Sequence, residues 1–288
     1  MYAPTTTARL LIQCPDQAGI VASVSNFFFN HGANITMLDQ HSTDPEGGKF
    51  FLRLEFQTPH LDVSQDRLEQ IFAQRVASLY SMTWHFSYAA KKKRMAIMVS
   101  RLDHAMLELL WRWQRQQLHC DVTQVISNHN NLAASVAEFD VPFHHVPVGH
   151  DSREAAEQKI LDLLGSDTDV VVLARYMQIL SNEFVAAFPN RIINIHHSFL
   201  PAFVGANPYV QAYDRGVKLI GATAHYVTNE LDQGPIIEQA VKRVTHRDDA
   251  FSLKEKGRDV ERAVLAQAVQ WHLEDRVLVH DNKTVVFV

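Results

Sequence analysis

The 288-residue chain carries 27 Lys and Arg against 32 Asp and Glu, a formal net charge of -5, and is 47% hydrophobic, with a mean hydropathy of -0.14. That length and apolar content fit two folded domains rather than a disordered chain, and the mild negative balance gives no general pull toward nucleic acid or anionic lipid. No apolar run reaches the roughly 20 residues that span a bilayer, the first residues lack the basic start and apolar core of an export leader, and Cys14 and Cys120 have no metal-type spacing, so a cytoplasmic protein with reduced thiols is expected.

Residues 7–13 read as a strand, and Asp16 as the N-cap of a helix over 18–30, where Ile20, Val21, Val24, Phe27 and Phe28 recur at helical spacing. Strands over 34–42 and 49–57 flank the turn sequence DPEGG. A helix near 63–79 and a strand near 82–88 complete the order βαββαβ, the ferredoxin-like pattern with both helices on one face of a sheet. The basic run from Lys91 to Arg94 reads as a solvated linker, which sets expected domains at 1–90 and 91–288. Beyond it the rhythm changes to strand and helix in alternation. MAIMVS, a helix over 104–117, DVTQVIS, a helix near 131–139, FHHVPV, a helix over 153–164, DVVVLA, a helix near 181–187 and RIINI follow one another. Val170 to Leu173 form the continuous apolar run of a strand covered on both faces, so a doubly wound parallel sheet is expected. Two strands, KLIGATAHYV and IIEQAVKRV, flank LDQG; a helix over 248–273 and the pair RVLVH and TVVFV close the chain. The class is α/β.

Polarity collects where the apolar run of RIINIHHSFLP ends. On an extended strand Asn194 and His196 point to one side, Ile195 and His197 to the other. An amide donor and an imidazole can then converge on one oxygen, as a carbonyl under attack requires. Asp232, on the turn LDQG, can hold the imidazole or take a proton from water. Taken singly, His196 also reads as a satisfied core histidine and Asp232 as an ordinary turn residue. A metal at His196 and His197, or at His144 and His145, is not expected, because neighbouring strand residues face opposite ways.

At INIHHSFLP followed by LDQGPII the chain resembles the formyltransferase family, over roughly residues 94–288. The stretch HHSFLPAFVGANPYVQAYDRGVKLIGATAHYVT is similar to the family's deformylase branch, with His197 where transferase relatives commonly carry proline. The resemblance implies a Rossmann-like domain in which Asn194, His196 and Asp232 are catalytic. It implies 10-formyltetrahydrofolate as substrate and no permanently bound cofactor or metal. Arg175, Tyr176, Met177, Ile179 and Leu180 of ARYMQIL, with His197 and Gly205, become the folate-binding residues. The implied reaction is hydrolysis of an amide-type C–N bond to tetrahydrofolate and formate, supplying formate for purine biosynthesis and balancing one-carbon folate pools. Transferase relatives cradle a phosphate on a Gly-rich loop; no glycine lies between Ser100 and Trp113, so water is the expected acceptor. Formyl transfer to an amine and a non-catalytic folate or amino-acid sensor are the alternatives.

The N-terminal unit resembles the ACT domain at CPDQAGI and HGANI. That resemblance implies an effector site at Asp16, Gly19, Ile20, Asn34 and Ile35 for an amino acid such as glycine or methionine, whose carboxylate helix N-terminal amides can meet. It also implies a homo-oligomer, a dimer of dimers or larger. No nucleic-acid or membrane partner is expected.

Overall fold

Four strands, β1 (Thr7–Pro15), β2 (Ile35–Ser42), β3 (Lys49–Gln57) and β4 (Thr83–Tyr88), form a sheet in the order β2-β3-β1-β4. Each neighbour pair is antiparallel. The computed structural model describes residues 6–44, 46–149, 152–201 and 208–288. Helices α1 (Ile20–Asn30) and α2 (Gln65–Arg75) lie between the strands in sequence. Period-two alternation aims Leu10 and Ile12 of β1 and Leu52, Leu54 and Phe56 of β3 into one core with Val24, Phe28 and Phe72 of the helices. Ser64 caps α2 by accepting from the Arg67 N–H. Asp16 does not cap α1. The cap position belongs to Gly19, whose φ of 93° is left-handed and easy only for glycine, while the Asp16 N–H donates to the Gly48 carbonyl.

The chain separates into two compact units, one of residues up to Lys92 with Asp275–Leu278 and Val285–Val288, the other of Lys93–Glu274 and Val279–Thr284. The C-terminal pieces therefore group differently from the expected 91–288 domain. A physical reason is Arg53, fully buried, whose Nε donates to the Asp275 carbonyl at 2.8 Å.

The second unit is built on a seven-stranded sheet in the order β11-β10-β9-β8-β5-β6-β7. Strands β5 (Lys93–Val99), β6 (Cys120–Ser127), β7 (Phe143–His145), β8 (Val170–Leu173) and β9 (Ile192–His196) run parallel. The doubly wound parallel sheet expected from the sequence carries an antiparallel pair at one edge. Strand β10 (Leu219–Tyr226) is antiparallel to β9, and β11 (Ile236–Arg243) antiparallel to β10. The short LDQG connection makes β10 and β11 a hairpin, which only antiparallel strands can be.

Between the strands run α3 (His104–Gln114), α4 (Ala133–Ala137), α5 (Arg153–Leu164), α6 (Asn182–Ala187), α7 (Pro208–Asp214) and α8 (Ala250–Leu273). Helix α7 is absent from the sequence-based expectations. Strand β8 is 4% exposed or less at each residue, as a strand covered on both faces must be. Val171 and Leu173 pack with Ile160 of α5 and Phe184 of α6, and α8 lies against β9, β10 and β11. A final pair, β12 (Val277–His280) and β13 (Lys283–Val286), closes the chain. Among the described residues no helix is long and apolar enough to cross a membrane.

Candidate active site

Strands β5 and β8 are neighbours although β6, β7 and α5 intervene in sequence, so the strand order reverses there and a crevice opens at the carboxyl ends. A cavity of about 640 Å³ occupies that end of the unit, within the range of small-molecule sites. Asn194, His196 and Asp232 all line it.

His196 closes β9 and is 6% exposed. Its Nδ1 lies 3.3 Å from Asp232 Oδ2, while its Nε2 is buried and has no hydrogen-bond partner among the described residues. Asp232 stands at φ 56°, left-handed backbone that aspartate tolerates better than most residues. Its carboxyl is held well below the usual carboxylate range by hydrogen bonding to His196 and His225, which outweighs partial burial. The site therefore holds a carboxylate, not a carboxylic acid, at neutral pH.

His225 of β10 also lines the cavity. Antiparallel register sets it opposite Asn194, with Asn194 Nδ2 3.2 Å from His225 Nε2 and Asp232 Oδ1 3.7 Å from the same nitrogen. The Tyr226 carbonyl, 2.9 Å from His225 Nδ1, can only accept, so Nδ1 carries a proton. Asn194 and Asp232 thus converge on one nitrogen, His225 Nε2, which ties both side chains into the cavity wall.

The expected folate-binding residues Arg175, Tyr176, Met177, Ile179, Leu180 and His197 line the same cavity. Gly205 lies outside the described residues. Met177 and Ile179 are 58% and 60% exposed, an uncovered apolar wall; Tyr176 is buried, and burial followed by Glu157 pushes its phenol up to about 12. The loop is tied down by Ser100, whose Oγ accepts from the Met177 N–H at 2.9 Å and donates to Asn128 Oδ1 at 2.8 Å. The expectation that His197 turns away from His196 fails because β9 ends at His196. The two rings instead stack, with centroids 5.1 Å apart and planes 27° from parallel.

Burial, then the charges of Arg175 and His196, lower the His197 imidazole to about 4. Its unfolded value is about 6.5, so between those values the unfolded chain binds more protons and stability rises with pH. This contribution is complete above about pH 6.5 and fades as pH falls toward 4. His197→Gln is expected to flatten the loss of stability between pH 7 and 4.5 by on the order of 2 kcal/mol, measured by urea unfolding; an unchanged slope contradicts the assignment.

The five residues of the expected effector site sit at two junctions. Asp16 and Gly19 lie between β1 and α1, and Ile20 is in the first core. The Asn34 carbonyl is taken by the Gln57 N–H, and Ile35 packs against that core from the start of β2.

Family models match the chain twice, as an ACT domain over residues 8–73 and as a formyl transferase over 93–269. A formyltetrahydrofolate deformylase of Bacillus subtilis is 57% identical over 280 residues, 97% of this chain and 93% of the relative. The chain belongs to the formyltetrahydrofolate deformylase family. A crystal structure of a deformylase from Pseudomonas syringae superposes with a TM-score of 0.95 at 51% identity, covering 99% of this chain and 95% of that one. A Burkholderia mallei deformylase gives 0.92 at 42% identity, over 98% and 100%. Deformylase-family membership leaves one cluster beside the cavity for which the sequence offered no signal. Glu261 of α8, 1% exposed, lies 2.8 Å from His104 Nε2, accepts from the Tyr209 hydroxyl at 2.6 Å and lies 3.4 Å from Arg175 Nε. Burial works to raise the Glu261 carboxyl, yet His104, Arg175 and Tyr209 together hold it below its ordinary value.

Proposed function

We propose that this chain hydrolyses 10-formyltetrahydrofolate to tetrahydrofolate and formate, with Asn194, His196 and Asp232 as the reacting groups. The observation that carries the reading is the buried, unpartnered Nε2 of His196 beside the fixed amide of Asn194. Buried polar nitrogens are normally paired, and a formyl oxygen between the two completes both. Sequence identity of 57% to a named deformylase over nearly the whole chain supports the same substrate.

In this reading a water oxygen bonds to the formyl carbon while the carbonyl oxygen takes up negative charge, met by the Asn194 N–H and the His196 Nε2–H. Asp232 faces Nδ1, orients the ring and stabilises its protonated form. The C–N10 bond then breaks with its electron pair going to N10, which takes a proton from His196. Formate leaves; one proton of the water restores the one that His196 gave up, and the other passes through Asp232 to solvent. Arg175, Tyr176, Met177, Ile179, Leu180 and His197 form the folate-binding wall. His225 acts through Asn194 and Asp232 as a positioning residue.

The first domain, residues 1–90, serves as an amino-acid-binding module for an effector such as glycine or methionine, and residues 91–288 as the catalytic domain. A cytoplasmic homo-oligomer that supplies formate for purine biosynthesis completes the reading. Formyl transfer to an amine is disfavoured because α3 begins without a glycine-rich phosphate loop. The purified chain is expected to release formate from 10-formyltetrahydrofolate with no amine added. Release that appears only with an amine acceptor supports transfer instead, and tight folate binding without release supports a sensor.

A further inference from the structure

Arg175 carries more hydrogen-bonding capacity than the protein uses. It lies two residues beyond Leu173, the last residue of β8, which pairs with Asn194, and it lines the same cavity as His196. Its backbone is left-handed at φ 66° and is held there by the Ser100 N–H, which donates to the Arg175 carbonyl at 3.3 Å. A non-glycine residue persists in that conformation only where its surroundings over-determine it. The side chain is 10% exposed and lines the cavity.

Among the described residues, Nε and Nη1 are both buried without a hydrogen-bond partner. The nearest carboxylate, Glu261, already serves His104 and Tyr209 and stands 3.4 Å from Nε, so it balances the guanidinium's charge without saturating its donors. An arginine with a purely structural role would have those groups paired.

We propose that Arg175 binds the small carboxylate anion that hydrolysis leaves behind, formate, and so forms a product subsite beside His196. The proposal rests on the deformylase reading above. Formate has two coplanar oxygens, and the end of the guanidinium that carries Nη1, the edge away from Glu261, can meet such a pair with two parallel N–H···O bonds. Exposed Lys254 of α8 also lines the cavity and offers the folate's own tail carboxylates a separate cation. Asp232 and Glu261 repel an anion, and Arg175 offsets both until the product leaves.

The test is inhibition of the full-length enzyme by added formate, read as the inhibition constant from initial rates, with binding of ¹³C-formate followed by NMR. Arg175→Gln is expected to raise the inhibition constant about tenfold or more, and Arg175→Lys, which keeps the charge but not the fork, to fall between. Glu261→Gln removes the competing charge and is expected to lower the constant; this variant carries the test if Arg175→Gln does not fold. An inhibition constant unmoved by Arg175→Gln, or unmoved or raised by Glu261→Gln, in enzymes that still hydrolyse the folate overturns the subsite. Absence of hydrolysis in the wild-type chain overturns the deformylase reading instead, and NMR binding of formate still reads the subsite.

Discussion

Asp232→Asn is expected to lower kcat for formate release by about 10³-fold while leaving KM within about threefold. The change keeps shape and removes charge. Wild-type Asp232 lies 3.3 Å from His196 Nδ1 and 3.7 Å from His225 Nε2, so one carboxylate serves both rings. An amide in its place presents either a donor or a weaker acceptor to Nδ1 and no longer favours the imidazolium that the proposed mechanism needs. Because the hydrogen bonds of the two histidines hold the Asp232 carboxyl far below its usual range, it stays ionised through mildly acid solution. An acid limb in the rate profile above pH 4 therefore does not come from Asp232. A variant that keeps kcat within about threefold of wild type would remove Asp232 from the chemistry.

The second large effect comes from a residue that has no side chain. A Cβ at Gly234 would lie 1.8 Å from the Tyr226 carbonyl oxygen and 3.0 Å from its carbon. The same backbone stretch is pinned by the Tyr226 N–H, which donates to the Pro235 carbonyl at 2.9 Å. Strand β10 cannot yield cheaply there, since Tyr226 is 2% exposed and its hydroxyl bonds His272 Nδ1 at 2.8 Å. Gly234→Ala must push the turn outward, and Asp232 is two residues away on it. The expected result is a fall in kcat of about 10²-fold, the cost of misplacing the proposed reacting carboxylate by about 1 Å, together with a lower Tm. Calorimetry and steady-state rates on one preparation check both halves. Wild-type activity would show that the turn relaxes without moving Asp232.

The polar end of β9 was legible because an amide and two imidazoles interrupt an apolar run, and Asp232 because a glycine follows it closely in a turn. His225 was not. It sits in an apolar strand, and its importance comes from register against Asn194 across 31 residues, next to an irregularity between Ala224 and His225. The direction of β10 was equally hidden, since alternation of side chains is the same in parallel and antiparallel strands. Glu261 reads in sequence as a charge on the solvated side of a long helix. Only folding brings His104, 157 residues away, and Tyr209, 52 away, against it. Gly257 shows how closely they pack, for a Cβ there would lie 2.1 Å from the Tyr209 hydroxyl. Helix α7 was missed because its seven residues are too few for a periodic pattern to declare itself.

The central claim is that water, not an amine, receives the formyl group. The most direct measurement is mass spectrometry of formate released from 10-formyltetrahydrofolate by the purified chain in ¹⁸O-labelled water without any amine. The account predicts formate carrying one solvent oxygen, produced in step with tetrahydrofolate. No formate above the uncatalysed rate, or turnover only after an amine is added and with the formyl group recovered on it, would contradict the account.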